Sequence, residues 1–371
     1  MRQPEDELAA LEQASLRRTL TVYDSQLVDF SSNDYLGLST HPRLITAFQN
    51  AAEKYGVGAQ ASRLISGTKS PHLELEEVIS EAKGTEAALS FANGYATAIG
   101  TLTALLGKGD TVILDKLCHA SLIDGARMSG ATIRVFPHNN LEKLSRLLDY
   151  STQNATPHSR ILVVTESIFS MDGDTAHLAE ICALTQQHRC LLMVDEAHAL
   201  GVTGASGMGL AEELSLTGQI DFHMGTLGKA AGVAGGYLAA SRSWIDLIIN
   251  KARSLIYSTA PPPAQAAAAQ EAIQLIRGSE GTTLRNKLWE NIQFFHQSTS
   301  MPQTPQSAII PWLVGESEAA LTLAEELRLD GFLIPAIRYP TVPRNTARLR
   351  ITINAAHDKA NLSALAKRLS H

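Results

Sequence analysis

A chain of 371 residues, 44% hydrophobic and 18% charged, can bury a large core, which excludes intrinsic disorder and a coiled coil as overall descriptions. Its 31 basic and 37 acidic residues sum to −6 with no long basic run, so no face built to neutralise nucleic-acid phosphates is expected. Cys118, Cys182 and Cys190 form no C-x-x-C pair, and the N-terminus carries neither a basic n-region nor an apolar h-region, so a reduced, cytoplasmic setting is expected.

Residues 5–16 carry a short amphipathic helical pattern ending in Arg17-Arg18. From Pro42, with Thr40 as the expected cap, Leu44, Ile45, Phe48, Ala51, Ala52 and Tyr55 recur at helical spacing until Gly56. A Gly/Ser-rich stretch over 56–67 leads to a helix opening at Ser70-Pro71. Beyond Gly84 short apolar strands, predicted at 87–92, 111–115, 132–136, 161–166, 191–195, 221–226 and 236–239, alternate with helical segments. Most are continuous apolar runs, as in strands covered on both faces, and the alternation predicts an α/β fold on a mainly parallel sheet. The most apolar stretch, 96–106, is broken by Gly100 and threonines and is far short of the ~20 residues of a membrane helix.

One long helix is predicted from Ser241 to about Ile256. Pro261-Pro262-Pro263 punctuates the chain, and two further helical segments follow. Short strands at 309–314, 332–336 and 347–353, with one helix between them, predict a small α+β domain. The expected organisation is an N-terminal segment (1–41), a large α/β domain (42–260) and a small C-terminal domain (261–371).

In open α/β sheets ligands bind outside the carboxyl ends of the strands, so the polar residues that follow each apolar run are the ones to weigh. The run 191–194 ends in Asp195-Glu196-Ala197-His198. A carboxylate there is costly to desolvate unless a cation faces it. Taken alone, Asp195 reads more readily as a capping or Arg-paired residue, and His198 as a core histidine. The next run leads into Gly225-Thr226-Leu227-Gly228-Lys229-Ala230-Ala231-Gly232, then Gly235-Gly236. A P-loop is excluded, because it needs glycine where His223 stands and Ser or Thr where Ala230 stands, and no G-x-G-x-x-G dinucleotide fingerprint is present. Lys229 has apolar neighbours on both sides, a setting that makes an amine a usable nucleophile, although a surface lysine in a flexible loop is the alternative.

Asn93-Gly94-Tyr95 precedes a helix expected at about Ala96, whose N-terminus suits a phosphate or is an ordinary strand–helix turn. His119, after the strand 111–115, lacks partners for a metal site with Cys118, and stacking on a flat ligand is the other use of its ring. A phosphate turn, a stacking histidine, a strand-end aspartate and a lysine in a glycine loop, all at one sheet edge, suit pyridoxal 5′-phosphate.

The wording of these stretches is similar to a known family. Ser31-Ser32-Asn33-Asp34-Tyr35-Leu36-Gly37-Leu38, Ser62-Arg63 with Gly67-Thr68 and His72, His119-Ala120-Ser121, and 166–174 are the first matches. Asp195-Glu196-Ala197-His198, the 225–236 loop, Pro340-Thr341-Val342-Pro343 and Thr346-Ala347-Arg348-Leu349-Arg350 complete them, in order. The chain thereby resembles the α-oxoamine synthases, a fold-type-I family of pyridoxal-phosphate enzymes, over nearly its whole length. Ala199 departs from the usual Gly or Ser, and Asn345 replaces a glycine in a turn that Asn can keep, since it tolerates positive φ.

The resemblance implies roles residue by residue. Lys229 forms the imine with the cofactor and later removes the substrate Cα proton; Asp195 pairs with the pyridinium nitrogen; His119 stacks on the ring and donates to the keto oxygen. His198 and Ser170 bond the phenolic oxygen. Gly94, Tyr95 and Thr226 bind the phosphate, with Ser258 and Thr259 reaching in from the second subunit of a homodimer. Asn33 and Arg350 hold the amino-acid carboxylate, and Arg17 and Thr341 contact substrate. The implied reaction is decarboxylative condensation of an amino acid with an acyl thioester. The 31–38 and 340–350 blocks favour L-alanine with a pimeloyl thioester, on CoA or a carrier protein, over glycine with acetyl-CoA. A non-catalytic subunit typically loses the lysine, which is present here, and a nicotinamide dehydrogenase lacks its fingerprint. No metal, membrane or nucleic acid enters this reading.

Overall fold

Continuous apolar runs can satisfy their backbone only by pairing with one another, and here seven of them build one sheet. In the computed structural model, which describes residues 3–299 and 301–370, they are β1 (Ala87–Phe91), β2 (Thr111–Asp115), β3 (Thr132–Phe136), β4 (Ile161–Glu166), β5 (Leu191–Asp195), β6 (Phe222–Thr226) and β7 (Gly236–Ala240). Their order is β1-β7-β6-β5-β4-β2-β3. All neighbours are parallel except β7, which runs antiparallel to β1 and β6. The mainly parallel α/β sheet expected from the sequence is the observed one, the fold-type-I architecture.

The sheet belongs to the larger of two compact units, Asn33–Ser170 with Asp174–Glu290. On one face, Val112, Leu162, Val164, Met193, Phe222 and Leu238 pack with Leu102, Leu122, Ile245 and Ile248 of the helices Gly94–Leu105, Ala120–Ser129 and Arg242–Lys251. Full burial of each such side chain contributes about 1.5–3 kcal/mol. The helix Pro263–Arg277 lies against Pro42–Tyr55 and Ser70–Lys83 in the same unit.

The smaller unit, Met1–Ser32, Met171–Gly173 and Asn291–His371, holds an antiparallel sheet in which Ala347–Thr352 lies between Ile309–Gly315 and Ala336–Ile337. Val28–Asp29 pairs in parallel with Phe332–Leu333. No helix among the described residues is long and apolar enough to cross a membrane.

Local departures from the sequence expectations have local causes. The first helix is Pro4–Gln13 and stops short of residue 16, because Ser15 turns left-handed at φ 54°. The cap of Pro42–Tyr55 is His41, whose Nδ1 accepts from Arg43 N–H at 3.3 Å; Thr40 lies in a preceding 3-10 turn. The helix after β1 opens at Gly94 because the Asn93 side chain caps it, accepting from Ala96 N–H at 2.8 Å. The single helix expected from Ser241 is two, Arg242–Lys251 and Arg253–Ile256, broken at Ala252 (ψ 103°) where Ser254 Oγ donates to Ala96 O at 2.6 Å. The strand expected over 332–336 is two short pieces with different partners, since Pro335 has no N–H for a ladder.

Candidate active site

Parallel strands deliver their carboxyl ends to one edge, and in the larger unit β4, β5 and β6 end there in Glu166, Asp195 and Thr226. Lys229 follows β6 in a tight loop held by Leu227 N–H to Gly235 O, Val233 N–H to Leu227 O and Gly232 N–H to Lys229 O. Gly232 has φ +67°, and a Cβ on it would come within 2.4 Å of Ser39 N, so only glycine fits. The loop is rigid where the lysine is mounted.

Lys229 Nζ lies 2.7 Å from His198 Nε2, and His198 Nδ1 lies 2.5 Å from the hydroxyl of fully buried Tyr35. Tyr35 in turn donates to Asn33 Oδ1 at 3.2 Å. The direction of the last bond sets the others. Tyr35 Oη accepts from His198 Nδ1–H, so Nε2 is the nitrogen that accepts a hydrogen bond from the Lys229 amine. Asn33 turns its carbonyl inward to Tyr35.

His119 caps the helix Ala120–Ser129, with Nδ1 accepting from Ser121 N–H at 3.2 Å and 2.8 Å from Ser121 Oγ. Burial lowers its pKa, Asp195 opposes that shift and the Lys229 charge adds to it. The ring is therefore neutral with its proton on Nε2, a hydrogen-bond donor at neutral pH. Asp195 is buried, and its Oδ1 accepts from Ala197 N–H at 2.9 Å. Burial raises its pKa, while the Lys229 charge, the Ala197 N–H and His119 hold it down. A buried carboxyl of this kind suits a cationic ligand atom.

Gly94 sits against Thr226, where an added Cβ would touch Thr226 Cβ at 3.5 Å. The N–H groups of Gly94 and Tyr95 stand in the first helical turn, which has no preceding carbonyl to take them. The Tyr95 side chain turns to Asp124 Oδ2 at 2.9 Å, leaving its backbone N–H at the helix start. Thr226 Oγ1 donates to Gly235 O at 2.9 Å and accepts from Gly228 N–H at 3.2 Å. Ser170 is buried at the end of the loop after β4. Amine, buried carboxyl, neutral imidazole and helix N-terminus thus stand in one unit, a donor set that fits pyridoxal phosphate.

Ser258 and Thr259 lie in the same unit beside the π-helical turn Arg63–Gly67: Thr259 bridges to Ser62, and Ala260 N–H donates to Ala61 O at 2.9 Å. Arg17, Thr341 and Arg350 belong to the smaller unit. Arg17 is half-exposed and paired with Glu12 at 2.5 Å. Thr341 N–H donates to Arg338 O, and Arg350 is buried on its strand with Nη1 donating to Thr352 Oγ1 at 3.0 Å. Asn345 has φ 61°, keeping the turn that glycine would otherwise make.

The sequence reading gave no role to Tyr35, Glu166, Lys83, Glu196 or His138. Glu166 carries the signal that singled out Asp195, a charge ending a continuous apolar run. His138 bridges Asp115 at 3.1 Å and Asp174 at 2.7 Å; burial opposes its charge, but the two carboxylates raise its pKa to about 10. Glu196 points away from Asp195 and meets Lys83 Nζ at 2.7 Å, both fully buried. Burial opposes its ionisation, yet Lys83 and His223 bring its pKa to about 2. A carboxyl depressed in the folded state adds stability above its unfolded pKa of ~4.5, lost as pH falls toward 2. Lys83→Met leaves Glu196 buried without its lysine, only the His223 ring and the Ala211 N–H remaining, and is expected to cost about 3–5 kcal/mol in urea unfolding at pH 7. An unchanged midpoint would refute that account of the pair.

Comparison with known proteins bears on this site. The family model described as aminotransferase class I and II matches residues 25–369. An 8-amino-7-oxononanoate synthase of Geobacter sulfurreducens is 45% identical over 371 residues, covering 96% of this chain and 94% of that protein. A serine palmitoyltransferase structure, described as holding pyridoxal phosphate as an internal aldimine, superposes with TM-score 0.90 at 29% identity over 99% of this chain and 95% of that one. An 8-amino-7-oxononanoate synthase structure from Francisella tularensis gives TM-score 0.79 at 25% identity, over 94% of this chain and 98% of that one.

Proposed function

We propose that the substrates are L-alanine and a pimeloyl thioester, starting from a chain that belongs to the class I and II aminotransferase family and, within it, to the 8-amino-7-oxononanoate synthases. These are pyridoxal-phosphate-dependent acyltransferases of biotin biosynthesis. The products are 8-amino-7-oxononanoate, CO2 and the free thiol of CoA or of a carrier protein. The observation that carries the reading is the Lys229 amine on His198, in the unit where Asp195 is buried at a strand end.

Bound pyridoxal phosphate supplies a protonated pyridine ring that takes up the electrons of a bond broken at the substrate Cα. Lys229 is the residue to hold it covalently, and its freed amine is the base for the Cα proton. Asp195 keeps the ring nitrogen protonated, and a buried carboxylate does this better than a solvated one. His119 stacks on the ring and offers Nε2–H to the thioester carbonyl oxygen as negative charge grows there. His198 and Ser170 take the phenolic oxygen. Gly94, Tyr95 and Thr226 take the phosphate, joined by Ser258 and Thr259 of a second subunit. Asn33 and Arg350 hold the alanine carboxylate until it leaves as CO2, with Arg17 and Thr341 against the rest of the substrate.

The homodimer is part of this proposal. Ile65 is 80% and Tyr257 71% exposed, flanking the Ser62–Thr259 bridge, an apolar surface suited to a second copy. A monomer with full activity in sedimentation would refute it. A cytoplasmic, reduced location is also proposed, supported by three free thiols.

The test is the visible absorbance of the holoenzyme titrated with L-alanine and with glycine, followed by product analysis with pimeloyl and acetyl thioesters. A stronger response to alanine and an 8-amino-7-oxononanoate product are expected. A stronger glycine response with acetyl-CoA turnover would overturn the substrate assignment.

A further inference from the structure

We propose that Glu166 is a positioning residue of this site, a carboxyl group kept protonated beside an ionised Asp195 that anchors His119 through its backbone N–H. The inference rests on Asp195 and His119 facing the cofactor. The strands β4 and β5 are parallel and in register, with Glu166 opposite Asp195. Residues paired in this way point to the same face of the sheet, so the two carboxyl groups are neighbours. Both are buried, at 2% and 5% exposure.

Two carboxylates cannot share a dry site as two anions unless each has its own cation. The groups acting on Glu166 are Asp195, Lys229, Asp115 and the His119 backbone, with the Cys118 thiol also close. Asp115 is matched by His138, which leaves Lys229 as the cation acting on both members of the pair.

Their hydrogen bonds decide which one keeps the proton. Asp195 has the Ala197 N–H and is favoured by the His119 ring. Glu166 has a short bond from His119 N–H to one oxygen, Oε1, and a proton on its other oxygen leaves that bond intact. Burial, and then the Asp195 charge, push the Glu166 pKa well above the usual carboxylate range. The pair titrates as a unit, with its single negative charge on Asp195, where the ring nitrogen needs it. Glu166 meanwhile holds the main chain at the start of the helix Ala120–Ser129, and so the height of the His119 ring.

The test compares the wild-type holoenzyme with Glu166→Gln and Glu166→Ala at pH 8, where solvated carboxyl groups are ionised. Infrared difference spectra are expected to show a protonated-carboxyl carbonyl band in wild type that is missing from the Gln variant. Glutamine is neutral and keeps an acceptor for His119 N–H, so kcat should stay within about threefold. Alanine leaves that N–H unpartnered, and kcat should fall about tenfold or more. Absence of the infrared band, or a Gln variant as impaired as the Ala variant, would overturn the proposal. If the Ala variant does not fold, the wild-type and Gln spectra decide. A wild-type protein with no visible cofactor band would instead count against the cofactor-site reading, which separates the two failures.

Discussion

Lys229→Ala is expected to lower kcat by ~10⁴-fold or more and to abolish the visible band that depends on this amine, while leaving the fold intact. The size follows from the two roles of one atom, covalent anchor and base, both lost together. The intact fold follows from the environment. Lys229 is only partly buried, and the loop is held by backbone bonds through Leu227, Val233, Gly232 and Gly235, none of which uses the side chain. Because the Lys229 charge also acts on buried Asp195 and Glu166, the apoprotein is expected to keep its fold but to lose about 1–3 kcal/mol of stability, the carboxyl pair taking up a proton in its place. Residual turnover near wild type would remove Lys229 from the mechanism, and a large loss of stability would mean the loop had been misread.

Asp195→Asn is expected to lower kcat by ~10³-fold, about 4 kcal/mol of transition-state stabilisation, because the amide cannot hold a proton on a ring nitrogen. Its effect on the apoprotein has the opposite sign. A carboxyl whose folded pKa is raised binds its proton more tightly folded than unfolded, so its contribution to stability declines as pH rises above the unfolded value of ~3.8. At pH 7 the neutral amide escapes that cost. Apo Asp195→Asn should consequently melt higher than apo wild type, and the order should reverse or narrow once cofactor is added. Calorimetry of the four samples tests this. A less stable apo variant would mean the carboxylate is already compensated without the cofactor.

The sheet was legible because burial on both faces writes itself into sequence as unbroken apolar runs; β2 to β5 fall on the predicted residues, and β1, β6 and β7 differ by one at an end. What could not be read was pairing at a distance. The two-residue partners Val28–Asp29 and Phe332–Leu333 are too short to leave a pattern, and the break at Ala252 is imposed by the Ser254 contact with Ala96, far away in the chain. The site divides in the same way. Lys229, Asp195 and His119 were visible from strand ends and glycine spacing. Tyr35 was not, since its link to His198 joins two elements whose proximity no local rule predicts. Glu166 was overlooked for a different reason: it closes an apolar strand much as Asp195 does, but its use becomes evident only when the two are seen in register.

The reversed strand β7 matters in time as well as in space. It is wedged between β1 and β6, pairing Phe91 with Gly236 and Ala87 with Ala240, and it brings the Asn93–Tyr95 turn beside the lysine loop. Pairing β1 with β7 joins residues 87–91 to residues 236–240 across a long stretch of chain, a contact slower to form than local ones. The Asn93–Tyr95 turn and the lysine loop therefore come together only through pairing between distant parts of the chain.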